Sequence, residues 1–330
     1  MLRFPYLVAW EKILGEPHRW NNQDLEDLEL LFSDRSGLAH FHFSELHRAC
    51  LGLSGKTLQD VVLYTGKSGI DVIDNTGRTT LSWAARRGDD VAVKLLLERG
   101  ANPSRPDQSM KTPLHWSIGG ECILLLLQYD AEVYAKDDDG RTALNYVASN
   151  RDDATFVDTL VKFNADIESE DNEGWRPLHW AAHKNQPATL DRLLYHGADK
   201  NATDKLGRSP LHLAILRNCH EVLKILVEVV ANGERSKTAL GSTVLHCAAD
   251  HADIQTLHIL RSANLSNVKI EEENKDGFTA QKIAEFRRDC NGEWAYSSCQ
   301  ASDPDPKEWY IAFRTFIAGV HPIERVGDGK

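Results

Sequence analysis

The chain has 330 residues, of which 49 are acidic and 38 basic, and its formal net charge at pH 7 is −11. Hydrophobic residues make up 42% of the sequence and charged residues 26%, as in an ordinary soluble globular protein. Proteins that follow nucleic-acid phosphates need a basic stripe, so this acidic composition argues against direct nucleic-acid binding.

No segment of the sequence has the properties of an export signal or a membrane span. The first residues are only briefly apolar and are interrupted by Glu11 and Lys12, unlike a secretory signal. The longest purely apolar run covers residues 122–127, whereas a membrane helix needs ~20 apolar residues. We therefore predict that the protein does not bind a membrane.

Cysteine usage indicates a reducing compartment. No Cys-x-x-Cys pair occurs, and the spacing matches no disulfide framework, so we expect reduced thiols in an intracellular protein. No basic cluster distinguishes a nuclear from a cytoplasmic location. The six cysteines stand at positions 50, 122, 219, 247, 290 and 299.

The first predicted element is an amphipathic helix over residues 21–33, where leucines recur at helical spacing opposite acidic residues. We assign residues 1–42 to an N-terminal helical cap. Residues 43–72 then resemble a degenerate copy of a phrase that follows, because Leu46 and His47 match its central Leu-His pair.

From residue 77 onwards, one phrase returns about every 33 residues. Its first copy reads Gly-Arg-Thr-Thr-Leu-Ser-Trp-Ala-Ala at 77–85, and its fourth reads Gly-Trp-Arg-Pro-Leu-His-Trp-Ala-Ala at 174–182. Successive copies are 33, 30, 34, 33, 34 and 36 residues apart, a period typical of stacked-repeat proteins. The Thr-like position of the phrase falls at Thr79, Thr112, Thr142, Arg176, Ser209, Thr243 and Thr279.

Residue types within each copy indicate a turn followed by two helices. Asp-x-x-Gly is a turn signature, and Thr or Ser is a favourable cap for the helix that follows. Pro113, Pro177 and Pro210 stand at a first helical position, where a missing N–H is harmless. Gly100 and Gly197 follow a second apolar stretch, and they predict left-handed helix ends.

This pattern resembles the ankyrin repeat over roughly residues 43–290, and its tryptophans and Arg-Thr pairs are similar to those of fungal arrays. The resemblance implies an all-α ankyrin-repeat solenoid, with a turn and two antiparallel helices per repeat and helical caps at both ends. We assign residues 73–290 to the array. The resemblance also implies that a histidine ties each turn to the next repeat by hydrogen bonds, at His115, His179, His212 and His246.

Two copies depart from the pattern. The second lacks three residues after Gly120, so we expect a clipped helix pair, and the third has Asn145 in place of the histidine. A repeat buries its apolar face only against its neighbours. We therefore expect the stacking to be locally weaker where an irregular copy meets the next one.

Residues 291–330 are predicted to form a loop and a C-terminal capping helix. Pro306 is a favourable start for this helix, in which Trp309, Phe313 and Phe316 form one aromatic stripe. The stripe has two interpretations: a lid over the last repeat, or a helix that binds a partner or dimerises.

The sequence contains no Gly-x-Ser-x-Gly, His-Glu-x-x-His or dinucleotide-binding fingerprint. His40 and His42 have metal-like spacing, but no third ligand is near them in the sequence. Residues 137–140, Asp-Asp-Asp-Gly, open like a calcium loop without its later carboxylate, so we expect a turn tip. We therefore predict no enzymatic activity, no cofactor and no metal.

In ankyrin arrays, the turn tips and the starts of the first helices line a concave surface, where we expect residues to be free of packing contacts. Trp175 is an aromatic tip residue with basic and apolar neighbours, the types enriched at interface centres. Arginines 78, 86 and 87 make a basic spot that suggests a partner with an acidic segment. The predicted partner-binding residues are Arg78, Arg86, Arg87, Arg141, Trp175, His183, Lys184, Leu206, Arg208, Leu216 and Arg217.

Three of the predicted arginines, and the tryptophans of the repeated phrase, also have a purely structural interpretation. Arg78, Arg141 and Arg208 precede the cap position, where each could pair with a turn aspartate. The tryptophans of the phrase itself, such as Trp83 and Trp180, occupy a position that packs between helices, and we predict that they belong to the core.

We predict a non-catalytic scaffold or adaptor that binds another protein through the concave face of the array. One alternative is an accessory or regulatory protein of an enzymatic pathway, such as a fungal biosynthetic one, or a protein with an unrecognised site in residues 1–42 or 285–330. Another is a separated relative of the repeat half of a larger fungal signalling protein. A pocket that joins His18, His40, His42 or the C-terminal loop to the array would favour catalysis, and a continuous open groove bearing Trp175 would favour binding.

Overall fold

The computed structural model of the protein describes residues 42–66, 69–150, 152–229, 237–262, 269–289 and 305–320. Within these ranges the regular elements are helices, and extended residues pair only in two isolated bridges, Ile73 with Thr79 and Glu273 with Thr279. This confirms the all-α prediction. The predicted cap helix over residues 21–33, together with His18, His40 and the loop 291–304, lies outside the described residues.

Sixteen helices lie in the described ranges, and most repeats contribute a first and a second helix. They are α1 (Glu45–Cys50), α2 (Leu58–Tyr64), α3 (Thr80–Arg87), α4 (Asp90–Glu98), α5 (Pro113–Trp116), α6 (Gly120–Gln128), α7 (Ala143–Asn150), α8 (Ala154–Lys162), α9 (Pro177–His183), α10 (Pro187–Tyr195), α11 (Pro210–Leu216), α12 (His220–Val229), α13 (Val244–His251), α14 (Ile254–Arg261), α15 (Ala280–Asp289) and α16 (Pro306–Val320).

The described residues divide into two compact units: unit 1 within Met1–Tyr146 and Thr155–Asp166, and unit 2 within Val147–Ala154 and Ile167–Lys330. In unit 1 the first helices α1, α3 and α5 pack side by side, and so do the second helices α2, α4 and α6. In unit 2 the first helices α9, α11, α13 and α15 form one layer, and the second helices α10, α12, α14 and α16 form the other. The stacking that the 33-residue period predicts is thus present in each unit.

Apolar burial between neighbouring helices holds each unit together. The central leucines Leu178 and Leu211 are each 1% exposed, and Ala181 and Ala182 are completely buried between packed helices. Truncating a buried leucine to alanine costs about 2–5 kcal/mol in proteins generally. The alanines have no side chain to keep the helices apart, so the layers pack closely.

A buried aspartate fixes the hairpin tip of each of the first five copies. Oδ1 of Asp171 accepts the backbone N–H groups of Glu173 and Trp175 at 2.9 and 2.8 Å, and Oδ2 accepts the indole N–H of Trp180 at 3.0 Å. The same arrangement pairs Asp74 with Trp83, Asp107 with Trp116 and Asp137 with Tyr146, at 2.8 to 3.0 Å. Residues 137–140 are therefore a turn tip, as predicted.

A buried histidine then ties one turn to the next. Nδ1 of His179 accepts the backbone N–H of Arg176 at 3.2 Å, and its Nε2 reaches the carbonyl oxygens of Ala202 and Arg208 at 3.1 and 3.2 Å. His115 and His246 make the equivalent bonds, to the carbonyls of residues 141 and 278. The linking role that the family resemblance implies is confirmed for these three histidines.

Two further positions keep part of this arrangement. His212 bonds through Nδ1 to the Ser209 hydroxyl at 2.9 Å. Where the third copy has Asn145, its amide oxygen accepts the N–H and hydroxyl of Thr142 at 2.9 and 2.8 Å, so asparagine also caps the helix. The degenerate N-terminal copy has the full pattern, since His47 bonds both Ser44 and the carbonyl of residue 78.

The helix ends follow the sequence pattern. Pro113, Pro177 and Pro210 are the first residues of α5, α9 and α11, as predicted. Gly100 and Gly197 have φ values of 86° and 92°, which confirms the left-handed ends. Helix α5 has only 4 residues, so the first helix of the second copy is indeed clipped.

The C-terminal helix α16 takes the place of a second helix in the last repeat, because it packs against α14 and α15. Trp309, Phe313 and Phe316 are 1–2% exposed, and the indole of Trp309 donates to the carbonyl of Ala252 at 2.6 Å. The aromatic stripe is used for packing within unit 2, which favours the lid interpretation over a partner-binding stripe.

Burial lowers the pKa of the linking histidines. It is the main cause of the low pKa at His47, His115, His179 and His246, and it lowers the pKa of His212 to about 4. At neutral pH these rings are uncharged, which leaves Nδ1 free to accept and Nε2 to donate. The hydrogen bonds of the repeat need this form.

We predict that His179→Ala lowers the free energy of unfolding by about 1–3 kcal/mol, because buried partners at residues 176, 202 and 208 lose their bonds. His179→Asn should lose less, since an asparagine can cap as Asn145 does. Urea unfolding followed by circular dichroism measures both. The exposed His258→Ala is the control; equal loss in the two alanine variants would contradict a stabilising role for the His179 bonds.

We also predict that the protein loses stability as the pH falls from 6.5 towards 4. The unfolded His212 titrates near 6.5 and the folded one at about 4, so between these values the unfolded state binds more protons. The slope for this histidine is at most about 1.4 kcal/mol per pH unit. His212→Asn should flatten the dependence of the urea midpoint on pH, and an unchanged slope would contradict the prediction.

Candidate functional site

The predicted partner-binding residues fall into two groups, one in each unit. Arg78, Arg86, Arg87 and Arg141 belong to unit 1. The others belong to unit 2, and we call them the basic-aromatic patch. This patch consists of Trp175, His183, Lys184, Leu206, Arg208, Leu216 and Arg217.

Two of the predicted arginines in unit 1 pack against tryptophans. Arg86 is 2% exposed, and its guanidinium lies 4.9 Å from the ring centre of Trp116 and 5.4 Å from that of Trp83. Arg78 lies 4.1 Å from the Trp116 ring and 3.6 Å from the Asp107 carboxylate. The expectation that these positions are free of packing contacts is therefore wrong for both arginines, although a role in partner binding stays a prediction.

The other two predicted arginines of unit 1, Arg87 and Arg141, also have structural partners. Arg87 donates to the backbone carbonyl of Cys50, and Arg141 lies 3.4 Å from the carboxylate of Asp139. The side chain of Arg141 is 32% exposed, compared with 13% for that of Arg78. The aspartate-pairing interpretation is confirmed for Arg78 and Arg141.

Cations and aromatic rings alternate through unit 1. Lys111 places its ammonium 4.8 Å from the Trp116 ring and 5.3 Å from the Tyr146 ring, and burial lowers its pKa. Trp83 is 2% exposed, as a core residue should be, whereas Trp116 is half-buried. Sequence reasoning missed this stack, although an aromatic residue at the same place in successive copies is its signal.

In unit 2 the hairpin tip holds Trp175 in a fixed position. Asp171 bonds the backbone of Trp175, and the carbonyl of Glu173 accepts the N–H of Lys205 on the next tip at 3.2 Å. Gly174 has a φ of 77°, and a Cβ there would lie 3.0 Å from the Lys205 nitrogen. Only glycine allows the two tips to come this close.

The Trp175 ring packs on two other rings of its own repeat. Its centre lies 4.7 Å from that of Trp180 and 5.0 Å from that of His183. Trp175 and Trp180 are both half-buried. The prediction that Trp180 belongs to the core is therefore met only in part. Trp175 forms the floor of the patch rather than a protruding anchor.

Several cations surround His183. Burial is the main cause that lowers its pKa to about 4, and the charges of Arg217, Lys184 and Arg208 lower it further. Three positively charged side chains therefore lie close enough to His183 to act on its ionisation. The patch is thus electropositive on a chain whose net charge is −11.

Arg208 links the turn of the fifth repeat to the ring of Trp175. Its guanidinium donates to the carboxylate of Asp204 at 2.7 to 2.8 Å and lies 5.5 Å from the Trp175 ring centre. In this repeat Leu213 stands where the first four copies have an aromatic donor, and the arginine supplies the missing donor to Asp204. The aspartate-pairing interpretation is confirmed for Arg208 too.

The remaining patch residues face solvent to different extents. Lys184 and Arg217 are exposed, Leu206 is 49% exposed and Leu216 is half-buried. One repeat further on, Asp250 occupies the place of Leu216, so the patch ends at a carboxylate. Cations beside aliphatic surface can bind acidic and apolar groups together.

The described residues contain no group of three His, Cys, Asp or Glu side chains that could hold a metal ion. Burial raises the pKa of the thiols of Cys50, Cys122 and Cys247 to about 12, which makes them poor nucleophiles. In the part of the chain that the structure covers, no helix has the length and apolarity to cross a membrane.

Comparison with known families gives the fold an independent basis. A family model described as ankyrin repeats (3 copies) matches the chain over residues 46–137, 119–204 and 184–276. These matches begin in the degenerate N-terminal copy and end within the turn of the seventh copy.

Individual relatives match over shorter stretches. The chain is 37% identical over 149 residues to a palmitoyltransferase of Lachancea kluyveri, which covers 42% of this chain and 20% of the relative. It is 36% identical over 175 residues to mouse inversin, covering 48% of this chain and 16% of the relative. It is 30% identical over 235 residues to the human transient receptor potential cation channel subfamily A member 1, covering 68% and 21% respectively. The matches thus span about a fifth or less of these relatives.

We predict that Arg217→Gln raises the pKa of His183 from about 4 towards its ordinary value of 6.5, because a nearby positive charge is removed. An NMR titration of the imidazole ring measures this shift. Lys224→Gln, an exposed charge on α12, is the matched control and should leave the His183 pKa unchanged. Identical titration of His183 in both variants would contradict the electrostatic account of the patch.

Proposed function

The chain belongs to the ankyrin repeat family, and from that premise we propose that it is a non-catalytic scaffold or adaptor that binds a partner protein. Binding takes place on the face formed by the turn tips and first helices. The observation that carries this proposal is the basic-aromatic patch, where cations, half-buried rings and partly exposed aliphatic side chains lie on a preformed backbone.

The patch suits recognition because its shape is set before any partner arrives. Asp171 and Asp204 fix the two tips that present Trp175 and Arg208, so little backbone entropy remains to be lost on binding. Aromatic and arginine side chains in such positions dominate many interfaces.

Residues that resemble catalytic groups already have structural roles. His179 and His246 bridge turns, and their low pKa arises mainly from burial. The free thiols of Cys50, Cys122, Cys219 and Cys247 are buried within the helical layers. Buried, reduced thiols also support an intracellular location, which we propose for the protein.

A second candidate function is an accessory or regulatory role in an enzymatic pathway. The match to a segment of a palmitoyltransferase favours this alternative, since a repeat array can serve an enzyme without performing its chemistry. In both cases the array itself acts by binding, and the identity of the partner separates the two.

We predict that the protein retains a specific partner from native extract and that Lys184→Glu/Arg217→Glu abolishes this retention. Reversing two exposed charges of the patch changes its potential without disturbing the buried contacts. Mass spectrometry identifies the retained protein, and calorimetry with that protein, once purified, measures the affinity. A partner that is itself an enzyme would favour the accessory role.

The control is Lys94→Glu/Lys224→Glu, which reverses two exposed charges on the second helices α4 and α12. Circular dichroism checks that both variants fold. If the patch variant retains the same partner, the interface lies elsewhere on the protein. If the wild-type protein retains no partner, the result counts against the scaffold function.

A further inference from the structure

We propose that the basic-aromatic patch recognises a carboxylate-rich peptide segment that also carries a bulky apolar side chain. This inference rests on the proposed function, because the segment would belong to the partner protein. Its carboxylates would pair with Lys184, Arg208 and Arg217, and its apolar side chain would pack on Leu206 and Leu216.

Charge complementarity gives the first argument. Lys184 and Arg217 are exposed at equivalent places in adjacent repeats, one at the end of α9 and the other at the end of α11. Arg208 lies beside them over the Trp175 ring, where Asp204 neutralises part of its charge. On a chain with net charge −11, this local excess of cations favours an acidic ligand.

Two polar atoms at the floor of the patch give the second argument. The indole Nε1 of Trp175 and Nδ1 of His183 are both shielded from solvent, and neither has a hydrogen-bond partner among the described residues. Nearly all such atoms in folded proteins are paired. A ligand carboxylate that displaces the covering side chains would give the Trp175 N–H an acceptor and would stabilise a protonated His183.

The limits of the patch give the third argument. Leu206 and Leu216 provide aliphatic surface next to the cations, with Leu206 49% exposed. Acidic residues bound the patch, because Glu173 lies on the tip of the fourth repeat and Asp250 follows on α13, 3.1 Å from His251. A long uniform polyanion would meet these carboxylates, whereas a short acidic segment with an apolar residue fits between them.

A peptide suits this surface better than an anionic membrane does. A bilayer would bring the whole acidic chain, with 49 carboxylate residues, close to a negative surface. A short segment meets only the local potential, which salt screens over about 8–10 Å at physiological ionic strength.

The first experiment selects ligands from a random 16-residue peptide library displayed on phage, with the full-length protein as bait. Counter-selection uses Lys184→Glu/Arg217→Glu. We expect enriched peptides with clustered Asp and Glu around one aliphatic or aromatic residue. Enrichment of neutral or basic peptides, enrichment of no sequence, or binding of phosphatidylserine vesicles in place of peptides would overturn the inference.

The second experiment measures the affinity of the best peptide by fluorescence anisotropy. Exchanging its carboxylates for amides should weaken binding at least tenfold, as should Lys184→Glu/Arg217→Glu, and Lys94→Glu/Lys224→Glu should change it less than twofold. Trp175→Phe keeps a ring and removes the N–H, so it should weaken binding severalfold. Equal affinities for the acid and amide peptides would refute the proposal.

NMR separates direct binding at the patch from an indirect effect. Peptide carboxylates near His183 should raise its pKa, and the Trp175 Nε1–H resonance should shift on saturation. If acidic peptides fail while a partner protein is still retained and is lost in the patch variant, the ligand chemistry is wrong and the scaffold function stands. If the wild-type protein retains neither peptide nor partner, both proposals fail.

Discussion

The hydrogen bonds of a buried aspartate in each of the first five turns of the array set the geometry on which the candidate surfaces of this protein depend. In the fourth repeat, one carboxylate oxygen of Asp171 accepts two backbone N–H groups of the tip, and the other accepts the indole of Trp180 nine residues later. A buried carboxylate oxygen without a donor is costly, so each of these five repeats must supply that second donor. The repeats meet this requirement with different side chains, and their surfaces differ as a result.

The choice of second donor explains why Arg78 and Arg208, which hold the same place in their repeats, have different surroundings. In unit 1 the donors are aromatic, which leaves Arg78 to pack between Trp83 and Trp116. In the fifth repeat Leu213 cannot donate, so the guanidinium of Arg208 turns to Asp204 and lies over Trp175. Arginine in the same place of the phrase is thus inserted between rings in one unit and forms part of a half-open patch in the other.

Burial, rather than catalysis, accounts for most of the perturbed ionisable groups. The linking histidines have a low pKa because they lie inside the helical stack, where the neutral ring is the form that their hydrogen bonds require. His183 differs, because burial and nearby cations all lower its pKa, whereas aspartates and backbone hydrogen bonds partly raise the pKa of the linking histidines. This contrast singles out His183 and its surroundings as the part of unit 2 that packing alone does not explain.

The sequence by itself determined the repeat, its turn-and-two-helix unit and the roles of residues such as Pro177, Gly197 and His179. Each of these depends on local geometry, which recurs with the 33-residue period. The tertiary structure alone decided which candidate side chains are available. Arg86 and Trp175 both occupy positions expected to be open, yet Arg86 is buried against the rings of Trp83 and Trp116, whereas Trp175 forms the floor of a patch. The exposure of such a side chain depends on which residues of the adjacent repeats pack against it. The sequence pattern within one copy does not contain that information.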